Sequence, residues 1–161
     1  METAIPNLIN QLNAASHSIG RRGILLGDPV SEEIIRQFED KLGVKFPDDY
    51  REFLQSYGYL GIADTFFFGI WMDDLEATGD GSILGETTKL RREYNLPHYL
   101  IPFYGRETYA YACMNCSPVP ANQRIVDFSP PIGEIQAFNE ANSFKDYLVL
   151  YLQRRLKSLA K

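Results

Sequence analysis

The sequence predicts an α+β fold: a mostly antiparallel β-sheet packed against N-terminal helices and a C-terminal helix. Three observations carry this. Apolar residues recur at helical spacing as far as Tyr57. From Thr65 to Phe138 short aromatic and β-branched runs alternate with turn residues, interrupted by one helical stretch. Helical spacing returns after Ser143. Helices, then strands in hairpin-like succession, then a helix favour this arrangement over an alternating βαβ fold.

The elements follow in order. Ile5, Leu8, Ile9, Leu12 and Ala15 share one face of a helix over residues 3–16, with Pro6 suited to its first turn. Ser18–Gly23 is a break, and Ile24–Leu26 is either a short strand or a packed loop. Ser31 is a good N-cap, and Glu32 and Glu33 sit where the helix dipole favours negative charge. Ile34, Ile35, Phe38 and Leu42 form a stripe that ends at Gly43, a residue suited to a left-handed cap. Pro47 reopens a helix with Asp48 and Asp49 in its first turn. Tyr50, Phe53, Leu54 and Tyr57 form its stripe, and Gly58 stops it.

The aromatic runs Tyr57–Tyr59, Phe66–Phe68 and Tyr109–Tyr111 read as buried or half-buried strands, and Thr65–Met72 as one strand with a bend at Gly69. An acidic, glycine-containing loop leads to a helix over Ser82–Tyr94. Ile83, Leu84, Leu90 and Tyr94 are expected inward there, with Asp80 as a possible cap. Tyr99–Tyr104 and Thr108–Met114 predict a hairpin, and Arg124–Phe128 and Ile132–Phe138 two further strands. Ser143 with Asp146 gives a capping-box form for the last helix.

The 161 residues make one domain's worth of chain, expected as a single unit over 1–161, without repeat or linker. Hydrophobic residues are 45% and aromatic residues 13%, enough for a packed core. No apolar run approaches the ~20 residues that cross a bilayer. The first residues lack the basic and apolar regions of a secretory signal. Two cysteines make no disulfide framework. A cytoplasmic protein without a membrane partner is the expectation. The net charge of −5 argues against nucleic acid as a direct partner. Residues 52–88 contain no Lys, Arg or His but seven acids: Glu52, Asp64, Asp73, Asp74, Glu76, Asp80 and Glu86.

Motifs for chemistry are weak. Cys113-Met-Asn-Cys116 supplies two ligands where a structural zinc site takes about four. His17 and His98 have no partner at helical spacing. Structural or incidental cysteines are the better reading. Gly79–Gly85 has G-x-G-x-x-x-G spacing, not the dinucleotide fingerprint, and reads as helix entry. No nucleophile elbow is present. Asp73, Asp74 and Glu76 are either a solvated acidic loop or a surface that attracts a basic partner. The pairs Arg91-Arg92 and Arg154-Arg155 read as solvent-facing or ion-paired. No catalytic residue, metal site or cofactor is expected.

Glu32–Gly43, a short extended link, then Phe46–Gly58 make a more specific pattern. It resembles the SUKH superfamily, with matching positions at Ile35, Phe38, Glu39, Gly43, Pro47, Tyr50, Phe53, Leu54 and Gly58. Leu100–Met114 is similar to that family's central strand pair. Arg124–Phe128 with Ile132–Phe138 resembles its later pair, and Asn142–Leu152 its closing segment. The similarity covers residues about 29–153. Tyr57-Gly58 stands where the family often has Asn-Gly, and the central strand pair here is poorer in glycine and aspartate. Both departures bear only on the subfamily.

The resemblance implies a binding module. Bacterial members are mostly cytosolic immunity proteins that neutralise a cognate toxin domain, often a nuclease. Fungal members are regulatory adaptors in cell-wall signalling. The compact chain resembles the bacterial type. Since a nuclease presents a basic cleft to phosphate, the base-free acidic run is the expected contact surface, with Asp64, Asp73, Asp74, Glu76 and Asp80 meeting the toxin and an exposed Trp71 as an aromatic anchor. A regulatory adaptor without toxin antagonism and an enzyme are the alternatives.

Overall fold

A computed structural model describes residues 4–63, 65–72, 76, 81–106 and 110–160. Helix α1 (Ala4–Ser18) is followed by β1 (Leu25–Leu26), α2 (Glu32–Leu42), α3 (Asp48–Tyr57), β2 (Leu60–Ile62) and β3 (Thr65–Phe67). Then come α4 (Ile83–Tyr94), β4 (Leu100–Arg106), β5 (Ala110–Asn115), β6 (Ile125–Ser129), β7 (Glu134–Ala137) and α5 (Phe144–Leu159). The seven strands form one sheet in chain order, and each neighbouring pair is antiparallel. The α+β architecture expected from the sequence is thus the one observed.

Alternation along the strands divides the core. Ile101, Met114 and Ile125 face a large cluster with Phe144, Leu148 and Leu152 of α5 and Tyr50 and Leu54 of α3. Their neighbours Leu100, Cys113 and Val126 face the other way, onto Leu90 and Leu96 at α4. Helix α1 packs along α5 and buries Ile9 and Leu12. A bulge in β4 alters the alternation once. The register passes from Pro102↔Cys113 to Tyr104↔Ala112 and leaves Phe103 as the extra residue. Phe103 and Tyr104 therefore both reach Tyr147, with ring centroids 5.0 and 6.2 Å away.

The link between α2 and α3 is held by one side chain. Gly43 ends α2 in the left-handed conformation, at φ 73°. The Glu39 carboxylate, buried beneath the link, accepts the Phe46 N–H at 2.7 Å and the Arg51 guanidinium at 2.5 Å. Arg51 also pairs with Glu32. On either side of this pair α3 reaches out. Tyr50 donates its hydroxyl to the Phe68 carbonyl at 2.7 Å, and Asp49 accepts the Lys145 N–H at 2.8 Å in the first turn of α5. Ser143 caps the same turn by accepting the Asp146 N–H at 3.0 Å.

Several elements differ from the sequence reading. Thr65–Met72 is a strand only as far as Phe67. The Phe68 N–H then bonds the Phe103 carbonyl, and Gly69 bridges to Ser82. Leu60–Ile62 is a strand that periodicity did not mark, whereas Tyr57 closes α3. Ser82, not Asp80, caps α4 by accepting the Gly85 N–H at 3.4 Å; Asp80 lies outside the described residues. Tyr94, expected inward, is 39% exposed. Pro47 is the cap residue before α3, not its first residue. The hairpin tip, residues 107–109, is also outside the described residues.

Removing Glu39 leaves the buried Phe46 N–H without its acceptor and the largely buried Arg51 guanidinium with only the half-exposed Glu32 as partner. Glu39→Ala is expected to cost about 3–5 kcal/mol, read from the urea midpoint. Glu39→Gln, whose amide oxygen can still accept the Phe46 N–H, should cost less. Equal losses would assign the effect to charge alone.

Candidate functional site

The segment with the acid-rich composition starts from a crossing of three backbone stretches. The Gly27 N–H donates to the Tyr59 carbonyl at 3.1 Å, and the Ile70 N–H to the Gly58 carbonyl at 3.0 Å. At Gly69 a Cβ atom would lie 1.8 Å from the Gly58 carbonyl oxygen, so this crossing admits only glycine. The crossing fixes the turn at Asp28, the start of β2 and the chain after β3 against one another.

On this frame sits a row of aromatic rings. Leu60, Ile62 and Phe67 point into the main core. Gly61 lies opposite both Leu25 and Phe66, so these three share the other face. Gly61 leaves room for the Phe66 ring: a Cβ there would come within 2.6 Å of it. Tyr59, two residues before Gly61, stacks on Trp71 with ring centroids 3.7 Å apart and 18° between planes. Phe66 lies 6.0 Å from Trp71 and 6.4 Å from Tyr59. All three rings are half-buried, while Leu25 and Met72 are exposed. Asp28, Tyr59, Trp71 and Met72 line an open cleft of about 410 Å³.

Of the six residues expected to meet a partner, Trp71 belongs to this aromatic row and Glu76 is an exposed turn residue. Asp64, Asp73, Asp74 and Asp80 lie outside the described residues. The other two acids of the base-free run separate from them. Glu86 is buried and accepts the Gly81 N–H at 3.3 Å, which ties it to the entry of α4. Glu52 is on α3, beside a different groove lined by Ile5, Pro6 and Tyr57. Sequence reasoning missed Asp28, Tyr59, Phe66 and Met72 as neighbours of Trp71. The alternation of Tyr59 and Gly61 with Leu60 and Ile62 was a usable signal for one of them.

A second cleft, about 550 Å³, opens where α3 and α5 begin and includes Lys45, Cys116, Arg124 and Ser143. The N-terminal turn of α5 is already capped there by Asp49 and Ser143. The two cysteines are free: Cys113, on β5, belongs to the cluster under α4, and Cys116, just past the end of β5, packs against the main core. Burial pushes the Cys116 thiol up to about 12, the charge of Glu39 adds to this, and Arg91 opposes it. Cys113 is raised well above the ordinary thiol range by burial first, then by Asp127 and Cys116. Both thiols therefore hold their protons at neutral pH, the reverse of an activated nucleophile. Among the described residues no group of three or more His, Cys, Asp or Glu is placed to hold a metal ion.

The thiols give a pH dependence. The folded chain keeps the Cys116 proton after the unfolded chain has lost it. That contribution to stability is complete below about pH 8.5. It falls as pH rises toward about 12. The slope is up to about 1.4 kcal/mol per pH unit for one thiol. Cys116→Ser should flatten the decline of the urea midpoint across this window. An unchanged slope would remove Cys116 as the titrating group.

No curated protein matches the sequence. The family model described as SMI1-KNR4 cell-wall, SUKH_5, matches residues 5–153, which includes both Glu39 and the whole aromatic row. This chain belongs to the SMI1-KNR4 branch of the SUKH superfamily.

Proposed function

We propose that the protein is a cytosolic immunity protein, which neutralises a cognate toxin domain by one-to-one binding. Membership of the SUKH superfamily across residues 5–153 carries this reading. The base-free run from residue 52 to 88 supports it. A nuclease toxin must neutralise phosphate and so presents a basic cleft. Acids flanking an aromatic row suit such a target. Charge steers encounter and raises the association rate by ~10–10³-fold. Buried aromatic contacts then hold the complex. In this reading Asp64, Asp73, Asp74, Glu76 and Asp80 supply charge and Trp71 supplies the anchor. Binding needs no chemistry on the immunity protein, in keeping with protonated thiols in its interior.

A regulatory adaptor is the second reading, favoured by the words cell-wall in the description of the matched family. Such an adaptor would bind a cellular regulator and give no protection against a toxin. Both readings place the protein in the cytosol. No helix among the described residues is long and apolar enough to cross a membrane.

The deciding experiment is co-expression with the C-terminal domain encoded by the adjacent gene, scoring growth and co-purification. Immunity predicts rescue together with a one-to-one complex. Continued killing, without a complex, would overturn it in favour of the adaptor. Reversing Asp73, Asp74 and Glu76 to lysine should then slow association by about 10-fold or more at low salt, with the difference shrinking as salt is added. Unchanged association would exclude this acidic stretch from the interface.

A further inference from the structure

We propose that the cleft bounded by Asp28, Tyr59, Trp71 and Met72 receives an arginine side chain of the protein partner. The inference rests on the binding role above and names the group that this part of the surface recognises. Four features of the cleft select it.

The first is aromatic. Tyr59 and Trp71 stack on each other at 3.7 Å with 18° between planes, so the pair stands as a two-ring wall of the cleft. A guanidinium lies flat on such a ring and is attracted by its quadrupole within about 6 Å of the centroid. The second is charge. Asp28 is exposed and lines the same cleft, and none of the described residues that line it is basic. The chain that carries Tyr59, Trp71 and Met72 is also the base-free run. A cation entering here meets the Asp28 carboxylate and, among the described lining residues, no competing cation. The third is fit. A volume of about 410 Å³ admits a guanidinium and its stem. The exposed Met72 thioether is an adaptable wall for the methylenes.

The fourth is preorganisation. Asp28 and Tyr59 are joined through the Gly27–Tyr59 hydrogen bond, and the Gly58–Ile70 bond ties the chain before Trp71 to the same point. The close approach of Gly69 to the Gly58 carbonyl packs the two backbones directly together at this crossing. The cleft thus exists before the partner arrives, which lowers the ordering cost of binding. Arginine fits better than lysine because its planar fork can stack on a ring and meet a carboxylate at once.

Trp71 is the chain's single tryptophan, so its emission reports on this cleft alone. The full chain is titrated with a hexa-arginine peptide, with hexa-lysine, and with the isosteric but neutral hexa-citrulline. A saturable change in emission is expected with arginine, a weaker response with lysine and none with citrulline. Asp28→Asn, an exposed substitution, should weaken the arginine response about three- to fivefold. Met72→Ala should weaken it less. No saturable change, an equal response to citrulline, or an unaltered response in Asp28→Asn would overturn the proposal.

The toxin experiment separates the two claims. If the adjacent domain is neutralised equally well by the wild-type chain and by Asp28→Asn, the arginine cleft falls while the immunity role stands. If the peptide response holds and depends on Asp28 but no toxin is neutralised, the cleft stands and the partner is another arginine-bearing protein.

Discussion

A buried carboxylate sets the geometry from which the rest of the structure is measured. Glu39 holds the Phe46 N–H and the Arg51 guanidinium, so it fixes both ends of the link between α2 and α3. A charge taken out of water is costly unless its acceptor sites are filled, and here both oxygens are used. That requirement leaves α3 little freedom to rotate. The consequence is that three consecutive residues each reach a different element. Asp49 meets α5, Tyr50 meets the end of β3, and Arg51 returns to α2. A turn of α3 about its axis would lose all three contacts together. Tyr50 adds apolar contact to its hydrogen bond, since its ring lies within 5.8 Å of those of Phe46, Phe53 and Phe144.

The candidate surface inherits this rigidity. Tyr50 pins the Phe68 carbonyl, and the Phe68 N–H is pinned by Phe103 of the bulge. The chain must therefore leave the sheet at Phe68 and cross Gly58 at Gly69. Only after that crossing can Trp71 lie on Tyr59. The stacked pair is thus a distant result of the helix pair, although no residue of α2 touches it in the aromatic contacts. The sheet divides its second face accordingly. Strands β4 to β6 put Leu100, Cys113 and Val126 beneath α4. Strands β1 to β3 put Leu25, Gly61 and Phe66 on that face, and there the rings stay half in solvent.

The helices were legible in the sequence because their signals are local. Ser31, Ser143, Gly43 and Gly58 act at the positions where their chemistry put them. The later hairpins were legible for the same reason. What was not legible depends on pairing between distant strands. Leu60–Ile62 is too short to show a period, and its strand character comes from Leu25–Leu26 and Thr65–Phe67 on either side. Thr65–Met72 has strand composition throughout, but Tyr50 and Phe103 end the strand after Phe67. The base-free run looked like one acidic source because counting charges ignores direction. Glu86 turns inward to Gly81 and Glu52 stands on α3 beside a different groove, so neither accompanies Trp71. Asp28 shows the converse. It falls outside the run, yet the Gly27–Tyr59 bond brings it to the same cleft.

Shifted titration often marks catalytic groups, and the direction of the shift decides the meaning. Tyr50, Cys113 and Cys116 are all shifted upward, and burial is the leading cause for each. Desolvation without a compensating cation keeps a phenol or thiol protonated, which weakens it as a nucleophile or base at neutral pH. Arg91, the cation that acts on Cys116, is outweighed by burial and Glu39. Tyr50 and Cys113 are core material whose polar atoms happen to titrate, and Cys116 is a half-buried neighbour that also lines the cleft where α3 and α5 begin. Charge that stays available to a partner lies elsewhere, on exposed carboxylates such as Asp28 and Glu76. The interior keeps its phenol and thiols protonated, while the aromatic cleft carries an exposed carboxylate at its edge. For the proposed arginine the same contrast applies: it would meet a ring and a carboxylate that are already in place, and guanidinium is the side-chain group that can stack on the one while pairing with the other.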